Sequence, residues 1–228
     1  MVIFPGGTAV TGLTVYQWPA EDGRCGGSPH IHLTCTEAYV TVSGEGSLQT
    51  LTTDGVQEVP LRAGTAVWFG PGTVHRAING DGALRVMVIM QNSGLPEAGD
   101  AVLTYPPEIL ADPVAYHQAR TPRDRRDLAV RGFLELADAV RSGDAKALVR
   151  FYRQAAALVA GKLDDWAVRW RSGPFEAARR TGEQIGALRD GDITHLLSAA
   201  VRTTQAPDPG ARKHGMCGML DVYPLDLT

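Results

Sequence analysis

Lysine is missing from the whole first half of the chain; the first one is Lys146. Chemistry there proceeds without a Schiff base or a lysine general base, unless the second half supplies one. Long apolar runs are missing too. A helix that crosses a bilayer needs about 20 predominantly apolar residues, and no such run occurs. The opening Met1-Val-Ile-Phe-Pro-Gly-Gly has neither the basic start nor the apolar core of a secretory signal. A cytoplasmic protein without a membrane partner is the expectation. Cysteine is scarce and odd in number, at Cys25, Cys35 and Cys217. With no paired spacing, these read as reduced thiols and not as a disulfide framework.

Positive charge is thin where it would matter for a phosphate backbone. Residues 1–105 carry nine acidic and four basic side chains, and residues 106–228 carry sixteen and eighteen. The net −5 of the first part disfavours nucleic acid as a partner. The rest of the composition is ordinary: 44% hydrophobic and 21% charged over 228 residues. That length suits one large domain, or one domain with a substantial appendage.

The pattern changes along the chain. Up to about residue 90, short runs rich in Val, Thr, Leu and aromatics alternate with glycine-rich breakers. The runs are 13–18, 38–42, 47–52, 58–61, 65–69, 74–78 and 84–90. Asp54-Gly55 and Gly80-Asp81-Gly82 tolerate the positive φ of tight hairpins. Such spacing predicts an antiparallel sandwich or barrel. Residues 91–105, with Gly94, Pro96 and Gly99, read as a connector. Beyond residue 106 the period becomes helical. Val130, Phe133, Leu134, Ala137 and Val140 share one face, and Ser142-Gly143 ends that helix. Asp144 is placed to cap a second helix that continues towards Trp166 and Trp170, with Gly173-Pro174 as its break. A third helix is expected from Pro174 to Leu188, and Asp192 is placed to cap a short fourth. The division expected is a β-barrel over 1–105 and a helical extension with a C-terminal tail over 106–228. The form of residues 216–228 is left open; for His214, Met216, Cys217 and Met219 a tail folding back over the barrel mouth is favoured, with a soft-ligand Cu(I) site as the alternative.

Three of the six histidines fall in two short segments of the β half. On a strand, side chains two apart share a face, so His30 and His32 project together. Glu37 opens the next strand and can stand opposite them. His75 begins another strand after Gly70-Pro71-Gly72. If these strands are neighbours in a closed barrel, three imidazoles and one carboxylate converge inside it. Burying four such groups is costly unless a divalent cation satisfies them together. Three nitrogens and one anionic oxygen suit borderline first-row metals and not Mg or Ca.

The two segments resemble the two sequence motifs of cupins. The first motif of that family is Gly, five residues, His-x-His, three or four residues, Glu, six residues, Gly. His30, His32, Glu37 and Gly44 match it. The second is Gly, five residues, Pro-x-Gly, two residues, His, three residues, Asn. Gly64, Gly72, His75 and Asn79 match it. Two positions depart: Gly70 stands for the family proline, with Pro71 one place later, and Arg24 stands for the first glycine. The resemblance covers about residues 10–92. It implies a jelly-roll double-stranded β-helix with one Fe, Mn, Ni, Zn, Cu or Co ion on His30, His32, Glu37 and His75. It also implies pairing of barrels through their sheets, so a homodimer is expected.

Further candidates surround the four ligands. Tyr39 and Thr41 share the face of Glu37. Tyr39 is read either as a substrate-binding and catalytic residue or as a core tyrosine with a satisfied hydroxyl. Arg85 is a substrate clamp if it points inward and a solvated charge if it points outward. Trp68 and Met87 either wall a pocket or pack in the core. Cys35 is read as a free thiol, with a fifth metal ligand as the alternative. Arg120, Arg123, Arg125, Arg126 and Arg131, interleaved with Asp124 and Asp127, read as a solvated helix surface. Two functions are carried forward. One is a metal-dependent enzyme, an isomerase/epimerase or a dioxygenase, acting on a small polar, carbohydrate-like molecule. The other is a non-catalytic sugar-binding or sensor module.

Overall fold

The computed structural model describes residues 4–119 and 121–223. Nine strands come first: β1 (Ala9–Val15), β2 (His30–His32), β3 (Glu37–Ser43), β4 (Glu45–Thr52), β5 (Gly55–Arg62), β6 (Ala66–Phe69), β7 (Val74–Asn79), β8 (Arg85–Met90) and β9 (Ala101–Leu103). Six helices follow: α1 (Pro107–Leu110), α2 (Pro113–Tyr116), α3 (Pro122–Arg141), α4 (Ala147–Val159), α5 (Leu163–Trp170) and α6 (Glu176–Arg189). The chain then returns to strand in β10 (Lys213–His214) and β11 (Gly218–Val222).

The strands form two antiparallel sheets, ordered β10-β11-β1-β8-β3-β6 and β5-β4-β7-β2-β9, a jelly-roll with a helical region after it. The period of two decides what each strand contributes. In β3, Glu37, Tyr39 and Thr41 are buried while Ala38 and Val40 are half-buried and Val42 is exposed. In β8, Val86, Val88 and Met90 point inward, and Arg85, Met87 and Ile89 point away. Each apolar side chain taken fully out of water here contributes about 1.5–3 kcal/mol.

Within the five-stranded sheet, β7 is covered on both faces. All six positions of β7 are buried. His75 and Ala77 face the barrel interior; Arg76 faces the helices and lies over the Phe133 ring of α3 at 5.4 Å. The Arg76 guanidinium is satisfied there by Gln49 Oε1, at 2.8 Å from its Nε, and by Asp22. Two motif residues act on the backbone. Gly44 has φ +76°, and a Cβ on it would meet the Ala83 carbonyl carbon at 2.4 Å. Asn79 donates to Val15 O at 2.9 Å and accepts from Leu84 N at 3.3 Å, tying β7 to the facing sheet.

The helical half departs from expectation in two places. The second helix stops at Val159, and a 3-10 turn over Ala160–Lys162 leads into α5. Gly173-Pro174 does not break the chain: a π-helical turn over Arg171–Phe175 carries α5 into α6. Proline has no N–H and clashes with the preceding turn, and the wider turn accommodates it. Pro174 is buried against Gly7, where a Cβ would come within 2.6 Å of the Pro174 Cα. The segment left without assigned form supplies β11, whose Gly218–Val222 pairs antiparallel with Thr11–Val15 of β1. Residues 224–228 and Arg120 lie outside the described residues.

Candidate metal centre

His30 and His75 face each other in register across β2 and β7, with ring centroids 4.2 Å apart. His32 lies two residues along β2 on the same face, and Glu37 opens β3 in the opposite sheet. The four side chains are buried, and one ligand atom from each lies within 4.8 Å of the others.

Each imidazole is held by an acceptor on Nδ1. His30 Nδ1 lies 2.8 Å from Ser28 O, His75 Nδ1 3.0 Å from Thr73 O, and His32 Nδ1 3.1 Å from Asp100 Oδ2. Carbonyls and carboxylates only accept, so Nδ1 carries the proton in all three rings. Each Nε2 is thereby left for the centre, the usual support for a metal-ligating histidine. Asp100 is fully buried. Its Oδ1 accepts from the backbone N–H of Leu33 and Thr34 and from the Thr34 hydroxyl, at 3.2, 2.8 and 2.7 Å.

The cluster fits a metal ion on one decisive observation. His75 Nε2 and Glu37 Oε2 are both buried without a hydrogen-bond partner, yet they stand 3.0 Å apart. With the His75 proton on Nδ1, both atoms present lone pairs, which repel unless a cation lies between them. Two ligand atoms each about 2.1 Å from one cation, at right angles, are themselves about 3.0 Å apart. The set can hold a borderline transition metal; the geometry does not select which.

Ionisation follows from the surroundings. Burial, with His75 and His32 adding to it, holds His30 well below the usual imidazole range. Burial also pulls His32 down, but the Asp100 and Glu37 carboxylates outweigh it and lift His32 to about 9, so a metal on its Nε2 would have to displace a proton. Burial pushes Glu37 up, and the neighbouring His75 and His32 outweigh it, so Glu37 stays ionised. Burial, then Cys217 and Glu37, pushes the Tyr39 phenol well above its ordinary value.

His30, His32 and Glu37 open into a cavity of about 400 Å³, with His75 fully buried behind them. Leu13, Val88, Met90, Leu103 and Leu220 give it apolar walls, and Tyr39 lines it too. Tyr39 Oη points to Cys217 Sγ at 4.0 Å. Trp68, Met87 and Arg85 do not line it. Alternation along β6 turns Phe69 inward and leaves Trp68 73% exposed; in β8 it turns Val86 and Val88 inward and Met87 out. Arg85 is exposed and reaches Asp221 at 3.5 Å. Inward placement of these three is therefore corrected. The basic stretch is corrected at Arg126, which is buried and donates to Trp18 O and Pro19 O, while Arg123 and Arg131 are exposed as expected. All three cysteines are free thiols, and Cys35 stands outside the metal cluster.

The tail expected over the barrel mouth is there, with His214, Met216 and Cys217 lining the cavity; the sequence reading missed Asp100 and Tyr152, whose hydroxyl donates to Gly72 O at 2.7 Å. Gly72 N in turn donates to His32 O at 2.8 Å, so α4 pins the turn that precedes His75. No local pattern marks these residues, because their partners lie far along the chain.

Residues 20–90 match the family model of the cupin domain. This stretch is a cupin domain. Among curated proteins, none matches the sequence. The chain is similar to a conserved protein with a double-stranded beta-helix domain from Klebsiella pneumoniae, at 17% identity and TM-score 0.33, over 41% of this chain and 74% of that one. It is similar to a sugar 3,4-ketoisomerase from Thermoanaerobacterium thermosaccharolyticum, at 11% identity and TM-score 0.31, over 35% of this chain and 57% of that one. A TDP-fucose-3,4-ketoisomerase from Campylobacter jejuni is similar at 9% identity and TM-score 0.33, over 42% of this chain and 64% of that one. Less than two thirds of either ketoisomerase is spanned. The match to the cupin domain ends before the helices begin, and no described helix is long and apolar enough to cross a membrane.

Proposed function

We propose that the chain is a mononuclear metal enzyme acting on a small polar organic molecule, with His30, His32, Glu37 and His75 as ligands. The facing, unpartnered His75 Nε2 and Glu37 Oε2 carry this reading. A divalent metal held by these four residues would supply Lewis acidity to substrate oxygens. The chain's own residues do the rest. Tyr39 keeps its proton, so its Oη would act as a hydrogen-bond donor to a substrate oxygen. The apolar walls exclude water and orient the substrate. Hydroxylated, carbohydrate-like compounds are the class we propose first, with isomerase/epimerase or dioxygenase chemistry.

A second reading, a non-catalytic sugar-binding or sensor module, is favoured by one observation. The protonated Tyr39 is no general base, and Arg85 and Trp68 lie outside the cavity. We also propose that residues 1–105, completed by β10 and β11, act as the barrel unit with the intervening helices as its cap, and that the chain forms a homodimer through the outer face of the six-stranded sheet. Exposed Val42 and Trp68 and half-exposed Val40, Met87 and Ile89 on that face support the last point.

Incubating the metal-loaded full chain with sugars and other polyols, with and without oxygen, and following products by mass spectrometry tests the reading. Turnover without oxygen selects isomerase or epimerase chemistry, and oxygen-dependent turnover selects the dioxygenase. Saturable thermal stabilisation without turnover selects the binding module. Neither binding nor turnover with any metal overturns the proposal.

A further inference from the structure

The cavity takes one charged group from the helical half. Arg125, on α3, lines it together with Pro122. Neither residue lies in the stretch that matches the cupin domain.

Three arginines crowd the start of α3, where the helix dipole disfavours cations. Two of them have a structural explanation. The Arg126 guanidinium satisfies the carbonyls of Trp18 and Pro19, and Arg123 lies over the Trp18 ring at 5.7 Å. Arg125 has none. It is half-buried, and among the described residues its side chain makes no hydrogen bond or ion pair. Its charge nevertheless reaches the hydroxyls of Tyr16, Tyr105 and Tyr116, where it favours the phenolate in each case. A guanidinium withdrawn from water without a partner costs free energy that an anionic ligand would offset.

The other ionisable groups around the cavity do not compete for it. Glu97 is exposed and accepts from Gly94 N at 2.8 Å. His214 Nδ1 is 3.1 Å from the Tyr16 hydroxyl. Glu37 belongs to the metal cluster.

We infer that Arg125 is a substrate-binding residue and that the substrate is an anion: a small hydroxylated molecule bearing a carboxylate or a phosphate, its hydroxyl end at the metal cluster and its charge on the Arg125 fork. The guanidinium matches either group with two parallel hydrogen bonds. This rests on the metal-site reading above and deepens it.

The test compares charged and neutral partners on the metal-loaded full chain by calorimetry. Glucuronate and glucose 6-phosphate are set against glucose, with metal content measured on every sample. The expected result is at least tenfold tighter binding of one charged probe than of glucose. The better probe tells carboxylate from phosphate. In Arg125→Gln that advantage is lost with metal content unchanged, and Arg125→Lys restores part of it. Equal binding of charged and neutral probes, no binding of either charged probe, or an unchanged advantage in Arg125→Gln overturns the inference while a bound metal leaves the metal site standing. Absence of metal from the wild type overturns the reading beneath it.

Discussion

The Nδ1–H of His32 is held at 3.1 Å by Asp100 Oδ2, a carboxylate 68 residues further along the chain. The other oxygen of the same carboxylate holds the Leu33–Thr34 turn. An Asp100→Asn variant separates the two roles. The amide oxygen keeps the turn, while the amide nitrogen meets His32 Nδ1 as a donor. His32 must then carry its proton on Nε2, where a metal would bind. The expected outcome is metal affinity about 10–100-fold weaker with little change in melting temperature, read by competition with a chromogenic chelator.

Tyr152 connects α4 to the His75 turn through Gly72 O. Tyr152→Phe removes one partly buried hydrogen bond, worth about 1 kcal/mol, and leaves the ring in place. Faster metal release at unchanged stoichiometry is the expected effect, measured by stopped-flow chelation. An unchanged release rate would mean that the helices do not steady this turn.

Trp68 projects from the outer sheet face and not into the cavity. A charge there is expected to split a dimer formed through that face. Sedimentation of Trp68→Glu should give a monomer with wild-type metal content. A wild-type chain that already sediments as a monomer would remove the homodimer from the account.

Glu58 is lowered to about 2, chiefly by its hydrogen bond to Arg24 and, against the pull of burial, by one from Ser47. A carboxyl depressed in the folded state stabilises the fold above its ordinary value near 4.5, and that contribution is lost as pH falls towards about 2. The pair is solvent-exposed, so the effect stays below about 1 kcal/mol. Urea midpoints of wild type and Glu58→Gln should differ at pH 7 and converge at acid pH.

The metal ligands were legible because strand period puts His30 and His32 on one face and the resemblance to the two cupin motifs implies that Glu37 and His75 join them. The same period also gave Arg85 its outward direction, since Val86 and Val88 occupy the inward positions of that strand. Pro174 obeyed packing against Gly7 over its local tendency to end a helix. β11 and Arg125 were not legible. Pairing Gly218–Val222 with β1, or bringing the start of α3 to the barrel mouth, depends on how distant segments meet, and no periodicity records that.

The central claim is that His75 Nε2 and Glu37 Oε2 share a metal ion. Metal analysis of the full chain, purified without chelator, tests it most directly. The account predicts about one transition-metal ion per chain in the wild type and a loss of at least tenfold in occupancy in folded His75→Ala and Glu37→Gln. A folded wild-type chain that carries no metal and takes none up, or variants that retain it in full, would contradict the account.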